Sequence, residues 1–481
     1  MNCSTCIFLV DPDFGYACIL TDVEILSEDD VFTFEGTHLP GKTNEDVDLL
    51  DIMGTVTTHI PKEILTEFLN AKFLLIQHAE IADIKDGDFE NCGNLELIAL
   101  GLNLLQSVPG RAFSSCSKLE TLLLTLNAIT EISDAAFEGL KNLQDLHLSH
   151  NQLNEIHADA FKALTNLLAL RLDNNYLTTV PEGTFDSLNN LETLSLCHNR
   201  ISSLPTAIFE QNKALKILEL AKNRLGKVDP ILFQPLENLE VLDLSFNHIK
   251  ELDESAFSSL SNLWLLKLCS NQIKEIPVNL FSTLTNLTQL GMSKNWISEL
   301  HPDTFKYLPR LKVLSLAQNF LEDLPDNIFE ANENIYMLHL EHNRLRTIKP
   351  ETLKHLAKLE HLHLSGNQIM QLAVDTFNTN ANLRILDLHS NKLTTIYGEI
   401  FKSMTQLTIL NIANNQIYAI GDKEIFNNFP RMANLTLHGN KCINIDLVAQ
   451  FNYIPIDFGF SLTFFEKCFK NYDLINGQAI E

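Results

Sequence analysis

One periodicity constrains this chain more than any other feature. Asn103, Asn127, Asn151, Asn175 and Asn199 open a series that continues at every 24th residue to Asn415 without a slip. A fixed period of roughly 20 to 50 residues marks stacked supersecondary units, each able to bury its apolar face only against its neighbours. Four apolar columns keep the same phase. Leu, or once Ile98, stands five residues before each Asn, and Leu, Met292 or Ile412 stands three before; Leu, Ile or Val stands two and five after. Ten residues after the Asn comes Phe, from Phe113 to Phe401, with Leu353 the only full-repeat exception.

The Leu-x-Leu alternation predicts one short strand per repeat, with the leucines facing inward and the residues between them facing out. Strands 24 residues apart must then pair in parallel. A buried Asn is costly unless its amide is satisfied. At a tight turn it can donate to and accept from the backbone of adjacent turns, so the column reads as a hydrogen-bonded ladder. The Phe column fills the opposite wall and holds it farther from the axis than the strands, which predicts a curved stack.

The run Leu143-x-x-Leu146-x-Leu148-x-x-Asn151-x-Leu153-x-x-Ile156, continued by Phe161 and Leu164, resembles the 24-residue "typical" leucine-rich repeat of extracellular proteins. The resemblance covers about four-fifths of the chain and implies an α/β solenoid: a curved horseshoe of about 16–17 repeats with a parallel β-sheet on its concave face, capped at both ends. Similar arrays occur in Toll-type receptor ectodomains, Slit, chaoptin, connectin and the acid-labile subunit of growth-factor complexes, so the fold alone does not give the function. Upstream, Leu74, Ile76, Ile81, Ile84 and Phe89 keep the register while Ala79 replaces the ladder Asn; downstream, Phe426 and Asn440 come one residue late. The expected division is an N-terminal cap over 1–45, the solenoid over 46–440 and a C-terminal cap over 441–481.

The segment around Cys6 and Cys18 is similar to the N-terminal module of secreted dipteran leucine-rich-repeat proteins, and that likeness implies a Cys6–Cys18 disulfide. Cys442 and Cys468 likewise resemble that group's C-terminal cap, although vertebrate-type caps, and families such as Slit, carry four cysteines. Cys92 and Cys116 occupy the same position in adjacent repeats, about 4.8 Å apart, which leaves a disulfide and two buried thiols both open. Cys197 and Cys269, three repeats apart, are expected to stay free.

Cysteine-bearing caps make sense in an oxidising compartment, so an extracellular location is expected, secreted or associated with matrix or cell surface. The sequons at Asn2, Asn286 and Asn434 are candidate N-glycosylation sites. The apolar run Cys6–Val10 is too short for a signal-peptide core, and no run reaches the roughly 18 residues of a membrane span. The expectation is therefore a mature chain or one cut short. A net charge of −26 repels phosphate backbones, which argues against nucleic acid as a partner.

With the ladder and core columns assigned to scaffold, the informative residues face outward. Near the N-terminal end they are apolar, Leu97, Ala99, Leu102, Leu123 and Leu126, a patch expected to lie under the N-terminal cap or against packing. Later they concentrate histidine: His339, His342, His361, His363 and His389 project beside Glu341 and Asp387. His339, His363 and Asp387 share one column, close enough at the backbone to hold a metal; a pH-sensitive contact and a solvated face are the other readings. Just after the ladder Asn, where polar residues are usual, stand Trp296 and Phe320, two adjacent aromatics that mark either a contact or a covering of the flank. There is no Gly-x-Ser-x-Gly elbow, no His-Glu-x-x-His pair and no phosphate loop. The expected function is therefore a non-catalytic extracellular scaffold without cofactor, engaging a protein ligand or receptor or a second copy of itself. An immune, Toll-like recognition ectodomain is the alternative.

Overall fold

Alternating leucines build the strands, and the 24-residue period stacks them. The computed structural model describes residues 2–20, 24–25, 32–53, 56–421, 425, 429–448 and 462–475, and it is a β-solenoid of about 16 turns. Two compact units divide the chain, Met1–Asp243 and Leu244–Glu481. In the first, Gly15–Leu20 pairs in parallel with Leu49–Met53, which pairs with Phe73–Gln77; Leu97–Ala99 and Thr121–Leu123 follow in the same sheet, with the 24-residue register intact. In the second, the sheet runs in parallel from Leu265–Lys267 to Asn434–Thr436, where Asp446–Val448 adds an antiparallel strand. Leu146 and Leu148 are fully buried while His147 between them is partly exposed, as period-two alternation requires.

The ladder forms as hydrogen bonds. Asn175 accepts from Leu153 N–H at 3.0 Å on Oδ1 and donates through Nδ2 to Leu148 O at 3.0 Å and Leu172 O at 3.1 Å. One side chain thus ties successive turns together. Asn440, one residue late in sequence, still occupies a rung: its Oδ1 accepts from Ile417 N–H at 3.1 Å. Phe426 lies outside the described residues. Phenylalanines fill the other wall, with Phe161 and Phe185 stacked at 6.5 Å in the first unit and Phe305 and Phe329 at 6.0 Å in the second.

Three features were not read from the sequence. A second asparagine ladder lies on the exposed side, where Asn142 donates to Ser117 O at 2.8 Å and Asn166 to Lys141 O at 2.8 Å. The same rungs recur in the second unit, from Asn286 to Ser261 O at 2.9 Å and from Asn334 to Pro309 O at 2.8 Å. A third set, Asn212, Asn332 and Asn380, replaces leucine within the core, and the Oδ1 of each is buried without a partner. Finally, the residue before a ladder Asn sits in left-handed backbone turn after turn, for example His150 at φ 55° and Lys294 at φ 56°.

The cysteines close the ends. Cys6 and Cys18 form a disulfide across the hairpin of Asn2–Asp11 and Gly15–Leu20, and because Gly15–Leu20 pairs with Leu49–Met53 the cap continues the sheet. Cys442 is joined to Cys468 on the helix Glu466–Ile475. Of the two readings for Cys92 and Cys116, the structure forms the disulfide, at a Cα separation of 4.7 Å. Cys197 and Cys269 remain thiols, and burial, with Glu219 nearby, pushes the Cys197 thiol up to about 12.

Candidate functional site

In the second unit, register brings the histidine face together. His339 lies opposite His363 and His363 opposite Asp387, while His361 pairs with Met337 and Ile385 one column away. The His339 and His363 rings stack at 4.6 Å with only 6° between their planes. His339 Nδ1 lies 3.3 Å from Glu341 Oε1, and the other carboxylate oxygen of Glu341 is buried without a partner. Asp387 is engaged elsewhere: its Oδ1 lies 2.7 Å from His389 Nδ1 and accepts the His389 backbone N–H at 3.2 Å. His342 stands apart on the exposed left-handed position of its turn, its ring against Gly366, where any Cβ would collide with it.

Electrostatics follow this geometry. Burial first, and then the charge of His339, lowers the proton affinity of His363. Burial pushes Glu341 up, but the hydrogen bond to His339, its own backbone N–H and the neighbouring imidazoles outweigh it and leave Glu341 below the ordinary glutamate value. The face can thus hold hydrogen-bonded negative charge beside neutral imidazole. Among the described residues, no group of three or more His, Cys, Asp or Glu side chains is placed to hold a metal. His339, His363 and Asp387 share their column without converging on one point in this structure: stacking turns the imidazole rings face to face, and His389 occupies the aspartate.

On the flank, Trp296 and Phe320 are 44% and 38% exposed. Sequence placed them side by side, but their rings do not pair. Instead the Arg344 guanidinium lies over Phe320 at 4.6 Å, a cation–π contact. The first unit repeats the device with Arg200 over Tyr176 at 4.5 Å. Exposed Trp264 and Tyr336, one residue ahead of their strands, were missed; their signal was a bulky aromatic in a column filled mostly by charged residues, with Gln144, Leu168, Thr288 and Thr408 the other exceptions.

The early apolar patch belongs to the first unit and is covered in part: Ala99 is buried, and Leu97 and Leu123 are half-buried. Leu102 and Leu126 are 37% and 45% exposed, and Leu104, on the adjoining flank, is 53% exposed. Both Leu102 and Leu126 occupy the left-handed column, at φ 57° and 59°. That backbone turns the side chain out of the stack, so the hairpin cap, which extends the sheet along its strands, leaves them open.

Two sequence families account for the repeats: the BspA type leucine rich repeat region matches residues 82–216, and the leucine rich repeat matches residues 213–273, 265–320, 309–369 and 367–417. The chain is a leucine-rich-repeat protein. Among solved structures, this leucine-rich-repeat protein is similar to one from Leptospira interrogans, with 28% identity over 71% of this chain and 84% of that one and a TM-score of 0.64. It is also similar to a chain of the Toll–Spatzle complex of Drosophila, described as a molecular hub in development and innate immunity. There the identity is 26% over 86% of this chain, the TM-score is 0.73, and the match spans 57% of that longer chain. The leucine-rich-repeat ectodomain of a plant membrane receptor kinase from Arabidopsis thaliana shares the fold, at 24% identity over 85% of this chain and 53% of that one, with a TM-score of 0.64. No curated protein matches. Among the described residues no helix is long and apolar enough to cross a membrane.

Proposed function

We propose that this leucine-rich-repeat protein is a non-catalytic extracellular scaffold that binds a protein partner through the outward faces of its strands. The observation that carries the reading is the pair Leu102 and Leu126, apolar, exposed and held in left-handed backbone. Left-handed backbone costs an ordinary side chain about 1–2 kcal/mol, and least for Gly and Asn. At other turns this column does carry such residues, as at Asn174 and Gly366. A scaffold alone has no use for leucine there, whereas a contact surface does.

Three disulfides support an oxidising, extracellular setting, as secretion alongside dipteran relatives would supply. The histidine face around Glu341 and Asp387 is a second contact zone, and the Trp296/Phe320 flank a third. Asn286 and Asn434 are proposed glycan acceptors. Asn286 is half-buried, and its amide keeps one hydrogen for the Ser261 rung after glycosylation; the side chain of Asn2 lies outside the described residues. The likeness to Toll over most of this chain favours one alternative, a recognition ectodomain of innate immunity.

The test is a binding screen of the chain against extracellular proteins of its source, repeated with Leu102→Asn/Leu126→Asn and with His339→Ala/His363→Ala. Asparagine keeps the left-handed turn and removes only the apolar contact. At least one ligand should bind the parent chain and lose about tenfold or more in affinity, at least 1.4 kcal/mol, with one of the pairs. A chain that binds nothing, or whose every ligand ignores both pairs, ends the proposal.

A further inference from the structure

On the flank of the second unit, successive turns enclose a groove of about 690 Å³, within the range of small-ligand sites. Trp296 forms part of its wall, with Ile276 and Pro277 among the apolar lining. The indole is 44% exposed. Among the described residues no ring or cation lies against it and no acceptor meets its Nε1–H, whereas Phe320 one repeat on is faced by Arg344.

The rest of the lining is polar and unengaged. Lys250 and Glu251 occupy in one repeat the positions that Lys274 and Glu275 occupy in the next, and all four line the groove. Lysine therefore follows lysine and glutamate follows glutamate at about one strand spacing, roughly 4.8 Å. Like charges in register repel, and none of the four makes a hydrogen bond or ion pair among the described residues; the Gln272 amide is equally free. Three repeats beyond Lys250, the same column closes on itself, with Arg346 bonded to Glu322 at 2.8 Å. The groove is thus a place where polar side chains lack partners beside a bare aromatic face.

We infer that this groove binds a neutral saccharide. A pyranose lays its C–H face on the Trp296 indole, its hydroxyls donate to the Glu251 and Glu275 carboxylates, and its oxygens accept from Lys250, Lys274 and Gln272. Charge selects this ligand over its rivals. An anion meets the glutamate pair and a cation the lysine pair, whereas a hydroxyl both donates and accepts and satisfies each. An extended peptide has a weaker claim, since proline-rich segments dock between several aromatic ridges and this groove has one. The inference shares Trp296 with the third contact zone of the protein-scaffold reading but none of the residues changed in that reading's test, so either can fail without the other.

The experiment follows tryptophan emission. Trp264 is the only other tryptophan, so Trp264→Phe leaves Trp296 as sole reporter in the full chain. Tetramers of β-linked glucose, N-acetylglucosamine and mannose are titrated in turn, beside a sulfated oligosaccharide and a proline-rich peptide. At least one neutral tetramer should shift the emission to the blue and saturate, and Glu275→Gln should weaken its binding about tenfold, the loss of one charge-assisted hydrogen bond, with the unfolding midpoint unchanged. In the parent chain Trp296→Ala should abolish heat of binding while the circular dichroism is retained. The inference is overturned if no neutral tetramer shifts the emission at millimolar concentration, if only the sulfated sugar or the peptide does, or if Glu275→Gln binds as the parent does.

Discussion

Asn199 and Asn212 lie in one repeat, and both are buried, yet replacing each by leucine should move stability in opposite directions. Asn199 Oδ1 accepts from Leu177 N–H at 3.0 Å, and its Nδ2 donates to Leu172 O at 2.9 Å and Leu196 O at 3.1 Å. Those carbonyls keep a second partner in Asn175 and Asn223, but the Leu177 N–H loses its acceptor. An orphaned buried donor costs about 1–3 kcal/mol and each lost bond about 0.5–1.5 kcal/mol, so Asn199→Leu should cost about 2–5 kcal/mol. Asn212 is the reverse case. Its Nδ2 donates to Phe185 O and Leu188 O, both at 2.9 Å, carbonyls that already accept from Leu188 N–H and Leu191 N–H, while its Oδ1 is stranded. Asn212→Leu removes that penalty and continues the column of Leu188 and Leu236. Set against two lost bonds, the net gain is about 1 kcal/mol. Long repeat arrays need not unfold in one step, so the assay is hydrogen exchange of amides in turns 177–236, supported by urea unfolding. Protection should fall around Leu177 in the first variant and rise around Leu188 in the second. If Asn212→Leu loses as much protection as Asn199→Leu, the distinction between satisfied and stranded amides is wrong.

Other consequences follow from the same geometry. Cys92→Ala/Cys116→Ala opens a loop of 24 residues, and its urea midpoint should fall by the equivalent of about 3 kcal/mol. Acid should weaken the second unit in two steps. His363 sits below its ordinary 6.5, so the unfolded chain takes up the proton first and stability declines as pH drops through 6.5 towards the folded value. Glu341, held below 4.5, contributes stability above 4.5 that is lost as pH falls further. His363→Asn should flatten the first step in unfolding midpoints measured between pH 7.5 and 5, with the second retained. Gly366→Ala should destabilise by about 1 kcal/mol or more, from its left-handed φ of 67° and the His342 ring against it, whereas Ser390→Ala, at the next turn, should cost less because serine already carries a Cβ in that left-handed position.

The repeat was legible because its columns record backbone geometry. Leucines at period two and an asparagine at fixed phase leave little choice of strand, register or ladder, and even the displaced Asn440 reaches its rung. The outer ladder of Asn142, Asn166 and Asn286 escaped notice because exposed asparagines in loops carry no hydrophobic contrast, although their recurrence at 24 residues was there to be counted. The candidate surfaces were harder. His339, His363 and Asp387 share a column as expected, but sequence does not give rotamers, and the stacked rings and the bond from His389 to Asp387 decide what the group can hold. Trp296 and Phe320 look equivalent by position; the next residue in their column, Arg344, distinguishes them by covering one and leaving the other bare.

The left-handed column carries the most functional information, because there the requirements of the stack and of a partner diverge. Every turn needs a positive φ just ahead of its rung, which favours Gly and Asn on backbone grounds alone. Polar residues such as Lys222 and Gln318 bear the same cost at φ 55° and 54°, but solvation repays an exposed polar side chain. Leu102 and Leu126 have neither compensation: each holds a left-handed backbone and leaves apolar surface in water. A chain selected for stability alone would lose such residues, since Asn or Gly improves the turn at no cost to the core. Their presence at two adjacent turns of the first unit is best explained by a surface that is dry when the protein is at work.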